Sequence, residues 1–159
     1  MITHIFNDGG RKAAGYKGFA GDCVPRAIAI ATGKSYQSVY DELTECNKNH
    51  AENRNDLIAK SLRHRKQKGR GFSPRNGVYN KIIKSYLLSL GWKWVPTMFI
   101  GQGTKVHLRE DELPKGNLIV NVSKHTTAVI DGVLHDTHDC SRDGTRAVYG
   151  YYTKEYQNV

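Results

Sequence analysis

Asp22-Cys23-Val24-Pro25-Arg26-Ala27-Ile28-Ala29-Ile30-Ala31-Thr32-Gly33 is the stretch on which the reading of this chain turns. An Asp stands where a helix cap would. A Pro follows in the first turn, where its missing N–H costs nothing, and a Gly waits where the chain must leave the helix. Apart from Arg26 the body of this segment is apolar on every side, and a helix apolar all round belongs in the middle of a core. Cys23 therefore sits one residue inside a helix N-terminus. Unpaired N–H groups and the positive end of the macrodipole there favour the thiolate over the thiol, and the thiolate is the form that attacks. The same N–H groups, that of Cys23 above all, can donate to an oxyanion formed on a bound carbonyl.

Upstream, residues 1–20 hold scattered apolar side chains and glycines at Gly9, Gly10, Gly15 and Gly18. They read as irregular chain that wraps the domain, with one short strand over residues 2–6. Downstream, Ser35 can cap a second, amphipathic helix in which Tyr36, Val39, Tyr40 and Leu43 recur at helical spacing. A short basic helix is expected to about Gln67, then an exposed loop through Gly69 and Gly71. Val78, Ile82, Ile83, Tyr86, Leu87 and Leu90 repeat at i, i+3, i+4 and i+7 with Gly91 as a C-cap, which marks another helix. Beyond it the period changes. Residues 94–100, 105–108, 118–122, 126–130, 133–137 and 147–152 are short, β-branched or aromatic runs separated by Gly, Pro or Asp. Helices first and strands afterwards predict an α+β fold in which the Cys-bearing helix packs on a C-terminal antiparallel sheet.

Asp131-Gly132 stands between two β-branched runs and signals a two-residue hairpin, because a type I′ turn needs positive φ at both central positions. That turn sets Ile130 opposite Val133, Ala128 opposite His135 and Thr127 opposite Asp136. Side-chain alternation then leaves His125 and Asp136 on one face as diagonal neighbours, roughly 7–8 Å apart at the backbone, and sends His135 to the other face. A Cys–His pair needs a third group to hold the imidazole in one tautomer and orientation while it exchanges a proton with sulfur, and Asp136 is placed for that role.

A Cys opening a buried apolar helix, a distant His beginning a strand and an Asp on the next strand resemble the papain-like cysteine peptidase superfamily. Its compact bacterial branches, such as the bacteriocin-leader peptidase domains, are particularly similar. The specific part of the resemblance is Gly21-Asp22-Cys23 with its helix and the segment from His125 to Thr137. It implies a papain-like build and thiol attack on an amide or related acyl bond through an acyl-enzyme. It also implies hydrolysis, or transfer to another nucleophile, with no cofactor. Such relatives place a Gln about six residues before the Cys to complete the oxyanion hole, whereas this chain has Lys17 there. The second oxyanion donor is then Asn7, Lys17 or a backbone N–H.

Other signals compete. His135-x-x-His138-x-Cys140 brings three zinc-ligand types together, but hairpin parity sets His135 and His138 on opposite faces and no second ligand pair has standard spacing, so no metal is expected. Residues 63–70 are rich in Arg and Lys and can track phosphates. A solvated helix face is the commoner outcome for such a run. Trp92 and Trp94 follow a core helix and are expected to bury themselves rather than to stack on bases.

Composition bounds the rest. At 159 residues the chain suits one domain spanning residues 1–159, since compact domains cluster at roughly 100 to 150 residues. No apolar run approaches the roughly 20 residues that cross a bilayer, so no membrane contact is expected and the default location is cytoplasmic. Three cysteines at wide spacing fit no disulfide framework. A net charge of +9 favours acidic partners. The expected function is therefore a cysteine hydrolase acting on a peptide or other acyl substrate. The alternative is a basic module that binds nucleic acid or protein without turnover.

Overall fold

The computed structural model describes residues 1–18 and 20–154; Phe19 of the opening stretch and residues 155–159 of the expected domain lie outside the described residues. The fold is α+β. Strand β1 (Thr3–Phe6) comes first, then helices α1 (Cys23–Thr32), α2 (Tyr36–Asn53), α3 (Leu57–Gln67) and α4 (Asn80–Ser89). Strands β2 (Lys93–Pro96), β3 (Asn117–Val122), β4 (His125–Ile130), β5 (Val133–Asp136) and β6 (Val148–Thr153) follow. They form one six-stranded sheet in the order β1-β5-β4-β3-β6-β2.

The sheet is mixed, which corrects the expected antiparallel one. β1 joins the edge beside β5 in parallel, pairing Thr3 with Val133 and Phe6 with Asp136, while the other ladders are antiparallel. The strand expected at 105–108 reduces to one isolated bridge, His107 with Ala147. Of that run Leu108 is buried while Lys105 stays exposed, so it has too little apolar surface to join a ladder. Of the 94–100 run, strand β2 takes residues up to Pro96, and Thr97 adds one further bond, its N–H donating to the Tyr149 carbonyl at 3.0 Å.

Alternation along the central strands divides the core in two. Ile119 of β3 and Ala128 of β4 pack under the helices with Ile28, Leu43, Ile83 and Leu87. Leu118, Val120, Val122 and Val129 point the other way and meet Ile2, Leu108, Leu134 and Cys140. α1 is the hub of the first core, with Val24, Ala27, Ile28, Ala29 and Ala31 all buried. Gly33 ends it in the left-handed conformation, and its N–H returns to the Ala29 carbonyl. Ser35 caps α2 by accepting from the Ser38 N–H.

Asp22 does not cap α1. Its carboxylate makes no bond to the first-turn amides. It is buried instead in an ion cluster with Arg11 (2.8 Å) and Arg26 (3.3 Å), and it accepts a hydrogen bond from the Tyr36 hydroxyl at 2.7 Å. Two guanidinium partners on either side outbid the helix amides for the carboxylate. The consequence is that α1 is anchored to the N-terminal segment and to α2 at the very turn that carries Cys23. Among the described residues no helix is long and apolar enough to cross a membrane.

Candidate active site

The hairpin register is the expected one: Ala128 pairs with His135, Val129 with Leu134 and Ile130 with Val133. Asp131 and Gly132 have φ of 47° and 79°, as a type I′ turn demands. Asp131 also locks the turn against the chain entering β3, accepting from Gly116 N–H through its side chain (2.8 Å) and donating its own N–H to the Gly116 carbonyl (2.9 Å). His125 at the start of β4 and Asp136 at the end of β5 consequently meet, with Nε2 donating to Oδ2 at 2.7 Å. Both are largely enclosed, with side-chain exposures of 12% and 5%.

Asp136 is fixed from several directions. Its Oδ1 accepts from the Thr137 N–H at 2.7 Å, and its backbone carbonyl accepts from His4 Nε2 (2.9 Å) and Asn7 N–H (3.0 Å). Arg26 reaches across from α1: Nη1 donates to Thr137 Oγ1 at 2.6 Å and lies 3.9 Å from Asp136 Oδ1. One guanidinium thus ties the helix of Cys23 to the strand end of Asp136. Arg26 is a site residue that the sequence reading passed over, and its signal was its being the lone charge on an otherwise apolar helix. Gly9 leaves room for this turn of α1, since a Cβ there would stand 2.9 Å from the Arg26 carbonyl oxygen.

The electrostatics follow from these contacts. Burial pushes the Cys23 thiol up, but hydrogen bonding to His125 and to the Thr126 backbone, with the charges of His125 and Arg26, holds it below the ordinary thiol value. With Nε2 of His125 taken by Asp136, Nδ1 is the nitrogen that remains for sulfur. Burial works against a charged His125, yet hydrogen bonds to Asp136, Cys140 and Cys23 and the Asp136 charge push its pKa up to about 11. Burial raises the Asp136 carboxyl too; the His125 bond and charge and the Thr137 N–H outweigh it and hold the group well below the usual carboxylate range. The shifts thus favour a charged imidazole and carboxylate and move the thiol toward its ionised form.

A cleft of about 360 Å³ opens over Cys23 and His125. Trp94, Asn80, Asn121 and Tyr149 are among its walls. Trp94 lies over Gly150, where a Cβ would come within 2.3 Å of its ring, and it packs on Tyr152 with centroids 4.8 Å apart. Trp92 is buried as expected, whereas Trp94 is only half-buried and serves the cleft.

Neither side chain named for the second oxyanion donor lines this cleft. Asn7 Nδ2 is hydrogen-bonded to His135 Nδ1 at 3.2 Å, and its Oδ1 accepts from the Gly9 N–H at 2.9 Å. Lys17 is exposed, and its carbonyl accepts from Arg11. The cleft itself offers the amides of Asn80 and Asn121.

Cys140 is buried behind the His–Asp pair, its thiol 3.7 Å from Asp136 Oδ2. Together His125, Asp136 and Cys140 bring three ligand-type atoms within 4.8 Å of one another. A metal held by this trio would have to break the 2.7 Å His125–Asp136 bond and to sit close to the Arg26 guanidinium. His135 turns away to Asn7, whereas His138, though exposed, stands beside the pair, its Nδ1 4.0 Å from Asp136 Oδ1 and its ring centroid 5.3 Å from that of His125. Cys46 is half-buried, and burial with Glu42 and Glu45 nearby raises its pKa, so it stays a thiol.

Comparison of the chain with known protein families, with curated proteins and with solved structures finds no match.

Proposed function

We propose that this chain is a papain-like cysteine hydrolase in which Cys23, His125 and Asp136 form a catalytic triad. The observation that carries the reading is the conjunction at one cleft: a helix-start thiol, with its pKa held below the ordinary value, shares the cleft with an imidazole that is itself bonded to a buried carboxylate at 2.7 Å.

In the reaction the Cys23 thiolate adds to a substrate carbonyl carbon and the π electrons move to oxygen. The Cys23 N–H, which has no hydrogen-bond partner among the described residues, donates to that oxyanion, with an amide from Asn80 or Asn121 as the second donor. Pro25 has no N–H, so this first turn offers only the Cys23 and Val24 amides. As the oxyanion collapses the C–N bond breaks, and His125 gives its proton to the departing amine. The acyl group remains as a thioester on Cys23. Neutral His125 then takes a proton from water, whose oxygen attacks the thioester, and collapse releases the carboxylic acid and restores the thiolate–imidazolium pair. Asp136 holds the imidazole at Nε2 throughout and stays ionised. Arg26 is a positioning residue, acting through Asp136 and Thr137.

The test is alkylation of the intact protein with iodoacetamide near neutral pH, read by mass spectrometry of each cysteine. Cys23 should label at least 10-fold faster than Cys46 and Cys140, and His125→Ala should remove that advantage. Similar slow rates at all three thiols would reject the enzyme. The non-catalytic alternative, a basic module for nucleic acid or protein, predicts salt-sensitive binding that Cys23→Ala leaves unchanged and no fast thiol.

A further inference from the structure

The cleft at Cys23 does not end at its own walls. Gly77 and Val78 line it on one side, and the same two residues line an adjoining cavity of about 670 Å³ whose walls carry Arg65, Arg70 and Arg75. Among the described residues no acidic side chain lines that cavity. Arg65 lies in the last turn of α3 and donates to the Ser73 carbonyl at 3.2 Å, which fixes its fork without neutralising its charge. Arg75 donates to the Lys17 carbonyl at 3.5 Å. Arg70 is exposed. Like charges gathered on a concave wall focus the field there and raise the local concentration of anions. Arginine forks match carboxylates in two-point geometry. Tyr149, another wall of the cleft, is shared with an apolar pocket that includes Met98, Phe99 and Ile100. The cleft of the thiol therefore adjoins one basic cavity and one apolar pocket.

We infer that the substrate is a polypeptide with an acidic side chain on the Gly77 side of the scissile bond, bound by Arg65 and Arg70. The inference rests on the hydrolase reading, and that reading decides between two anions. The arginine cavity shares Gly77 and Val78 with the cleft of the nucleophilic sulfur, which needs an acyl carbon; an acidic peptide brings one and a phosphodiester does not.

The experiment uses full-length Cys23→Ala protein and two fluorescein-labelled peptides that differ only in a Glu pair replaced by Gln, with a single-stranded oligonucleotide of equal length and label alongside. The Glu peptide should bind at least 10-fold tighter than its Gln twin at low salt, and added salt should shrink the advantage. Arg70→Gln should reduce the advantage several-fold and Arg70→Glu should abolish it, with the Gln peptide unaffected. Arg70 is exposed, so neither change endangers folding. Arg65→Gln is the second variant, read beside its melting temperature because it also gives up the Ser73 bond. Equal affinity for the twin peptides, an advantage that survives Arg70→Glu, or tighter binding of the oligonucleotide than of the Glu peptide would each overturn the inference. Fast Cys23 labelling in the parent protein without an acidic preference overturns this inference and leaves the hydrolase reading standing. An acidic preference with a slow Cys23 supports the cavity's role and removes hydrolysis.

Discussion

His125 illustrates how one side chain's partners govern both charge and reactivity. Its pKa rises from 6.5 to about 11 in the folded chain, so its charge stabilises the fold fully below pH 6.5 and that contribution fades as pH climbs toward 11. His125→Ala should therefore depress the melting temperature more at pH 6 than at pH 10, by several degrees, in a pair of thermal scans; equal deficits would mean that the ring contributes packing alone. The sulfur follows the opposite sign. With the Cys23 pKa held below 9.0, its thiolate survives as pH falls beneath that value and is lost only on passing the depressed one. Alkylation rates for Cys23 should accordingly stay high at pH values where Cys46, shifted upward, has stopped reacting. Asp136→Asn keeps the shape and removes the charge. It should slow turnover by about 10²-fold or more and lower the pH at which His125 loses its proton, as followed by imidazole NMR.

At the scale of elements, what was legible in the sequence is what local chemistry dictates. The Asp131-Gly132 turn fixes the register of β4 on β5, and register alone brings His125 to Asp136, so this half of the site could be read by counting residues. α1 was legible from its unbroken apolar body. The other half was not, because its partners are remote in sequence: the parallel seat of β1 beside β5, the Arg11–Asp22–Arg26 cluster, the reach of Arg26 to Thr137, and the diversion of Asn7 to His135. Asp22 shows the cost of a local rule, since an Asp before a helix reads as a cap until two guanidinium groups claim it. Asp22→Asn would take the paired carboxylate from Arg11 and leave Arg26 only Asp136, 3.9 Å away, and should cost about 3 kcal/mol in urea unfolding. Gly150→Ala probes another element contact. The added methyl must displace the Trp94 ring, at about 1–3 kcal/mol and with a shift in tryptophan emission.

For the whole molecule, the sheet is the partition between two cores, and its central strands β3 and β4 feed both. Damage on the side away from the helices should therefore be felt everywhere. Ile2→Ala, at a buried position of the second core, should lower stability by about 2–3 kcal/mol in one cooperative transition, with tryptophan fluorescence and far-ultraviolet dichroism coinciding. Separate transitions would show the cores to be independent. The parallel pairing of β1 with β5 also has a temporal side. Chains are made from the N-terminus, and strand β1 is read together with α1 about a hundred codons before its partner strand β5. Until Asp136 has been translated, the nascent polypeptide carries Cys23 without that carboxylate. The edge strand thus waits, unpaired, for the ribosome to deliver the strand it lies against.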